Sequence, residues 1–192
     1  MPLHRINGEH KTMTDETKMP SCSKRYLRLR VAVYVEKDDR VLLILDPVYR
    51  GGCWTIPGGT VDFGETFIQA AEREVFEETS LTIRVRNLWR MRELWEMDPD
   101  SLDAPQPIRR SFEFILLGEY ISGSVNIDKD PDLIAPDGLR HVTDCQWVPL
   151  CNLGSSIGDL PLYPPELFTA RHRGKLTGIP LDALMLSPFR MS

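Results

Sequence analysis

The chain has 192 residues, 42% of them hydrophobic and 27% charged, with a formal net charge of −5. These figures describe a soluble globular domain large enough to bury a core, and they argue against general nucleic-acid binding through a basic surface. The longest apolar runs, such as Val41 to Leu45, fall far short of the ~18 residues a membrane helix needs, so no membrane partner is expected.

In chain order, residues 1–24 are polar, lack hydrophobic period and contain no apolar segment of a secretory signal; they read as a flexible N-terminal arm. Cys22, Cys53, Cys145 and Cys151 form no CxxC pair. Idle thiols in a reducing compartment are the simplest reading, and the expected location is cytoplasmic. From Tyr26 the pattern alternates, with Leu27, Leu29, Val31, Val33 and Val35 on one face of a strand. "EKDDR" turns the chain into "VLLIL", a hairpin. "DPVYRGG" is a loop and "CWTIPGG" a short extended piece ended by its glycines.

The next segment, "TFIQAAEREVFEETS", reads as a helix starting near Thr66 and ending near Ser80. Thr66 and Gln69 fit a capping box, in which each side chain bonds the other residue's backbone N–H. At about 100° per residue, Glu77 and Glu78 fall about 60° and 40° to either side of Glu74, so the three carboxylates share one face. Phe67, Ile68, Ala71 and Val75 define the buried stripe, and the acids lie beside it and not opposite. Ala70, one turn before Glu74, leaves space above it. A hard divalent cation takes carboxylate oxygens, water and substrate phosphates, and such a face suits it.

Beyond the helix, "LTIRVRNLWRMRELW" is a long β-rich stretch, "EMDPDSLDAPQP" a loop, and "IRRSFEFILLGEYI" another strand. "SGSVNIDKDPDLIAPDGLR" is a long loop, "HVTDCQWVPL" a last strand, and "PPELFTARHRG" a closing helix with Pro at its start. Mixed strands with one or two helices indicate a layered α/β domain.

Gly59, five residues, Glu65, seven residues, then Arg73-Glu74-Val75-x-Glu77-Glu78-x-Ser80-Leu81 resembles the Nudix box, G-x5-E-x7-R-E-U-x-E-E-x-G-U, where U is aliphatic. Eight of the nine specified positions match; the exception is Ser80, where the family has glycine. Glycine after a helix commonly takes the left-handed conformation, so Ser80 is expected to strain the helix end slightly.

The resemblance implies a Nudix-type α/β/α sandwich with a mixed β-sheet, occupying residues 25–172, with 173–192 as a C-terminal extension. It implies metal ligation by Glu74, Glu77 and Glu78 with the Gly59 carbonyl, the ion being magnesium or manganese, and an Arg73–Glu65 ion pair fixing loop to helix. The implied function is a metal-dependent pyrophosphohydrolase that cleaves a nucleoside diphosphate linked to another moiety X. Two alternatives stand beside it: a non-catalytic Nudix-fold sensor of nucleotide metabolites, and an RNA 5′-end pyrophosphohydrolase. All box carboxylates are present, which favours the enzyme, and the acidic balance disfavours a nucleic-acid partner. A homodimer is an open assembly.

The catalytic set expected is Glu77 and Glu78 together with a general base outside the box. Among Glu93, Glu96, Asp98 and Asp144, Glu96 is favoured and Asp144 next, because a base must come within reach of the attacking water. X is read by loops outside the box, at 46–53, 96–108 and 122–140. No "SQPWPFPxS"-type run of dinucleotide-directed members is present. Asp128, Asp130 and Asp132 imitate an EF-hand start, but Leu133 and Leu139 stand where its glycine and glutamate belong. Arg50, Arg109 and Arg110 could meet phosphate or simply face solvent, His141 and His172 lack ligand spacing, and Trp54, Trp89, Trp95 and Trp147 read mostly as core, though one of them could stack on a base.

Overall fold

The computed structural model describes residues 26–97, 107–128, 141–154 and 156–181. Its elements are β1 (Tyr26–Lys37), β2 (Arg40–Asp46), β3 (Cys53–Thr55), α1 (Phe67–Thr79), β4 (Leu81–Met97), β5 (Pro107–Gly123), β6 (Asp144–Pro149), β7 (Ser156–Ile157), β8 (Leu160–Tyr163), α2 (Pro165–His172) and β9 (Ile179–Pro180). The strands form a mixed sheet in the order β7-β8-β3-β2-β1-β5-β4-β9, with β6 paired to β2.

β1 is apolar on both faces over Val31–Val35, the composition of a strand covered on both sides. Val31, Val33 and Val35 pack with Ala70, Ala71 and Val75 of α1. Ala32 and Tyr34 point the other way, toward Leu167 and Phe168 of α2. One helix therefore lies on each face, giving the α/β/α sandwich and mixed sheet that the sequence implies.

β1 meets β2 through only two register pairs, Glu36↔Val41 and Lys37↔Arg40. Farther back, the same edge of β1 is occupied by the segment 57–61. Val33 N–H donates to Pro57 O, Val31 N–H to Gly59 O, and Val61 N–H to Leu29 O. The turn carrying Gly58 and Gly59 is thereby stitched into the middle of the sheet. On its other edge β1 runs parallel to β5, from Tyr26↔Arg109 to Glu36↔Glu119. β4 and β5 form an antiparallel ribbon of 17 residues a side.

Several boundaries differ from the sequence reading. The β4–β5 register continues to Met97↔Pro107, so Glu96, Met97 and Pro107 belong to strands and not to the loop. The last long strand begins at Asp144 and not at His141. Ala70 is fully buried against the sheet and leaves no open space, whereas Phe67 is half-exposed and stacks on Phe114 with ring centroids 4.2 Å apart. Trp54 is buried, as expected, but Trp95 is 53% exposed. Residues 1–25, most of the acidic loop with Asp98, and the EF-hand-like run beyond Asp128 lie outside the described residues. Among the described residues no helix is long and apolar enough to cross a membrane.

Candidate active site

The site is built where the stitched turn meets α1. Thr66 caps the helix: its hydroxyl accepts from Gln69 N–H and the Gln69 side chain accepts from Thr66 N–H, the reciprocal box its sequence encodes. Gly58 crosses directly over the β1 backbone, where a β-carbon would collide with the Val31 carbonyl and Ala32 Cα. At Gly59 the space of a β-carbon is filled by the Glu74 carboxylate. Only glycine permits both approaches.

Glu74 and Glu78 reach this turn, and Glu77 shares the Arg73 Nη1 donor with Glu74. Glu78 Oε2 accepts from Gly58 N–H at 2.8 Å. Glu74 is only 14% exposed, and burial pushes its carboxyl above the usual carboxylate range against the opposing pull of Arg73. Arg73 ties the site together. Its Nε and Nη2 donate to Glu65 at 3.1 and 2.7 Å, and Nη2 also donates to Thr60 O at 3.0 Å. Nη1 donates to Glu74 at 3.0 Å and Glu77 at 2.8 Å. The Arg73–Glu65 pair is thus present as expected. The Glu74 and Glu77 bonds were not expected, because a Cα projection ignores the length of the guanidinium stem.

The Gly59 carbonyl accepts from Val31 N–H at 3.0 Å, leaving its second lone pair for another donor or cation. Among the described residues no three of His, Cys, Asp and Glu close into a cage that would hold an ion unaided. The arrangement is instead an open one: the Glu74 and Glu78 carboxylates and the Gly59 carbonyl at one turn, with Glu77 held to Arg73 alongside Glu74. That donor chemistry fits a magnesium-like ion, which keeps waters and substrate phosphates in its shell.

The candidate bases separate. Glu93 pairs with Arg110 on the outer ribbon. Glu96 stands opposite Arg109 in β4, level with Tyr26 and four residues back from the Arg30↔Thr60 bridge. The Glu96 side chain and all of Asp98 lie outside the described residues. Asp144 opens β6, and its two oxygens accept from Cys145 N–H at 2.7 Å and Gln146 Nε2 at 2.8 Å. Burial, reinforced by the Glu78 and Asp144 charges, pushes the neighbouring Cys145 thiol up to about 12. The start of β6 therefore lies beside the box helix. Cys53, Cys145 and Cys151 are free thiols.

Sequence reading missed a chain of charges leading away from this site. Arg30, which draws on Glu74 electrostatically, lies 3.6 Å from the buried Glu113, which in turn pairs with Arg92. Arg92 Nη1 donates to Glu166 at 2.9 Å. The alternation of Arg28, Arg30, Ala32 and Tyr34 on one strand face was the available signal.

A family model described as "NUDIX domain" matches residues 26–165. The NAD-capped RNA hydrolase NudC of Klebsiella pneumoniae is 30% identical over 173 residues, covering 88% of this chain and 54% of that protein. That of Photorhabdus laumondii is 29% identical over 153 residues, covering 78% and 48%. The chain thus spans about half the length of the curated relatives it matches. Among solved structures, a NUDIX hydrolase from Nitrosomonas europaea superposes with a TM-score of 0.60 at 21% identity, covering 86% of this chain and 100% of that one. The NUDIX domain of Shewanella oneidensis NrtR, complexed with ADP ribose, gives 0.50 at 19% identity, covering 78% and 88%. At such identities these two structures bear on the fold alone.

Proposed function

Because the chain belongs to the NUDIX domain family, matching its model over residues 26–165, we propose that it is a metal-dependent pyrophosphohydrolase acting on a nucleoside diphosphate linked to another moiety. The observation that supports this reading is that Glu74 and Glu78 meet the Gly58–Gly59 turn while Arg73 binds Glu77 together with Glu74. A sensor that does not cleave its ligand has no need of this complete set.

Glu74, Glu77, Glu78 and the Gly59 carbonyl would hold the cation. A divalent cation bound there supplies charge neutralisation to the diphosphate and raises the acidity of an attacking water. Arg73 holds Glu65, Glu74 and Glu77 in place before substrate arrives, so the oxygens need not reorganise during reaction. Water adds across the anhydride, leaving two phosphate-bearing products. Its proton passes to a carboxylate. Asp144 is supported in that role by its place beside Cys145, a thiol that feels the Glu78 charge, and Glu96 by its place next to the loop after β4. The amide of each, assayed across pH, separates them: the base loses most of its turnover and the acidic limb of its profile. If the amides of all four candidates, Glu93, Glu96, Asp98 and Asp144, are fully active, the base is a box glutamate, with Glu77 the first choice.

The experiment that tests the whole reading is product analysis with magnesium over a panel of ADP-ribose, NAD, nucleotide sugars, nucleoside triphosphates and dinucleoside polyphosphates. Nucleoside monophosphate release that EDTA abolishes supports it. Tight binding without cleavage of any member would favour the sensor. A second reading, removal of a nucleotide cap from RNA, is favoured by the activity named for the Klebsiella relative. It requires that an NAD-capped oligonucleotide be cleaved faster than free NAD.

A further inference from the structure

On the α2 face of the sheet, the chain of charges that begins at Arg30 ends at an aromatic platform. Arg92, 13% exposed and bound by Glu113 and Glu166, lays its guanidinium 4.6 Å from the centre of the Tyr163 ring. Tyr49 meets the same ring edge-on at 5.2 Å. Arg50 stacks on it at 4.4 Å, and its Nη2 donates to the Tyr163 hydroxyl at 3.3 Å. The ring is therefore fixed from two sides before Arg50 is added.

Arg50 differs from Arg30, Arg73 and Arg92 in two respects. Among the described residues it has no carboxylate within ion-pair distance, and it is exposed. The nearby Asp46 is occupied instead by the backbone N–H groups of Val48 and Tyr49. Nor does Tyr163 neutralise it: a tyrosine hydroxyl is already uncharged near neutral pH, and burial pushes this one up further, to about 12. The Arg50 backbone is also left-handed, at φ 55°, a conformation that disfavours L-residues and that clusters at ligand sites. The chain thus holds an exposed guanidinium, without a carboxylate partner among the described residues, on an aromatic support in a left-handed turn. A planar fork of this kind matches phosphate oxygens.

Tyr163 stands in register with Thr55, three residues before Gly58, so at most about 10 Å of extended chain separates the Thr55 backbone from the box turn. We propose that Arg50, held on Tyr163, is the receptor for a phosphate monoester carried by the substrate in addition to the diphosphate that is cleaved. This deepens the pyrophosphohydrolase reading and rests on it. Arg50 and Tyr163 would then set substrate preference, with Arg92 as a positioning residue acting through the ring.

The test is calorimetric, on the full chain with EDTA present so that nothing is cleaved. Two ligands are compared, ADP-ribose and its 2′-phosphate, which share one diphosphate. The wild type is expected to bind the phosphorylated ligand at least about tenfold more tightly, the scale of a charge-assisted hydrogen bond. Arg50→Gln should abolish that preference, and Arg50→Lys should restore only part of it, because an ammonium lacks the planar face. No preference in the wild type, or a preference that survives Arg50→Gln, would overturn the proposal. Failure of the wild type to cleave any diphosphate with magnesium would instead overturn the hydrolase reading, and the binding preference is measured without turnover.

Discussion

Arg73 makes more bonds than any other side chain at the site, so its removal separates structure from chemistry. Arg73→Ala leaves Glu74, 14% exposed, and Glu65, 16% exposed, without their cation. A fully buried pair broken on one side costs about 3–5 kcal/mol, and at 29% exposure of the Arg73 side chain about 2–3 is expected. Thermal unfolding reads this, and an unchanged Tm with reduced turnover would mean that Arg73 serves substrate instead. The pH dependence is expected to identify the partner. Arg73 holds the Glu65 carboxyl below its ordinary value of 4.5. Its contribution is therefore complete above about pH 4.5 and is lost as pH falls through the lower folded value. Wild type and Glu65→Gln should differ in Tm at neutral pH and converge in acid; a constant gap would show that Glu65 does not act through its charge. Glu78→Gln should lower turnover at least about 10²-fold with the fold intact, since one charged oxygen donor is lost at the turn. Unchanged magnesium-dependent turnover would sink the assignment of Glu78 to the site. The Arg73–Glu65 pair was legible from its spacing beside the box, whereas the Arg73 bonds to Glu74 and Glu77 were not. The Arg50–Tyr163 stack was not, since its two members lie 113 positions apart.

At the scale of single elements, α1 shows how local chemistry sets boundaries. Its start was readable to the residue because a capping box involves only Thr66 and Gln69. Its end follows from Ser80, which adopts φ 60° and ψ 18°, the left-handed cap that the sequence demands of a position where glycine is usual. What sequence could not show is the compensation: the Ser80 hydroxyl donates to Asn126 O at 2.8 Å, tying the helix end to the segment after β5. Left-handed geometry costs an L-residue about 1–2 kcal/mol, and such a bond returns about 1. Ser80→Ala should thus destabilise by about 1 kcal/mol, while Ser80→Gly should fall close to wild type. Denaturant titration decides, and a large gain for Ser80→Gly would mean that the hydroxyl contributes nothing. The ends of β4 and β5 were misjudged for the opposite reason. Proline and acidic residues suggested a loop from Glu96, yet cross-strand pairing as far as Met97↔Pro107 overrides local preference there.

Across the whole molecule, the α/β/α layering was legible from the strands, the helix and the box resemblance, but the sheet order was not. Alternation tells which residues share a face and says nothing of which strands are neighbours. Reading β1 and β2 as a hairpin was right only at its tip, for β1 spends its length against the 57–61 segment and β5. That parallel ladder bears on how the protein is made. Val31 pairs with Phe114, so β1, once it has left the ribosome, waits for more than eighty further residues before its central edge is closed. Through that interval, several seconds at ordinary elongation rates, a strand apolar on both faces is held without its neighbour. Stalled nascent chains of increasing length should therefore remain protease-sensitive until β5 has cleared the exit tunnel, and then become resistant in a single step. Resistance rising gradually from shorter lengths would mean that the β1 and 57–61 pairing is enough to hold the nascent domain.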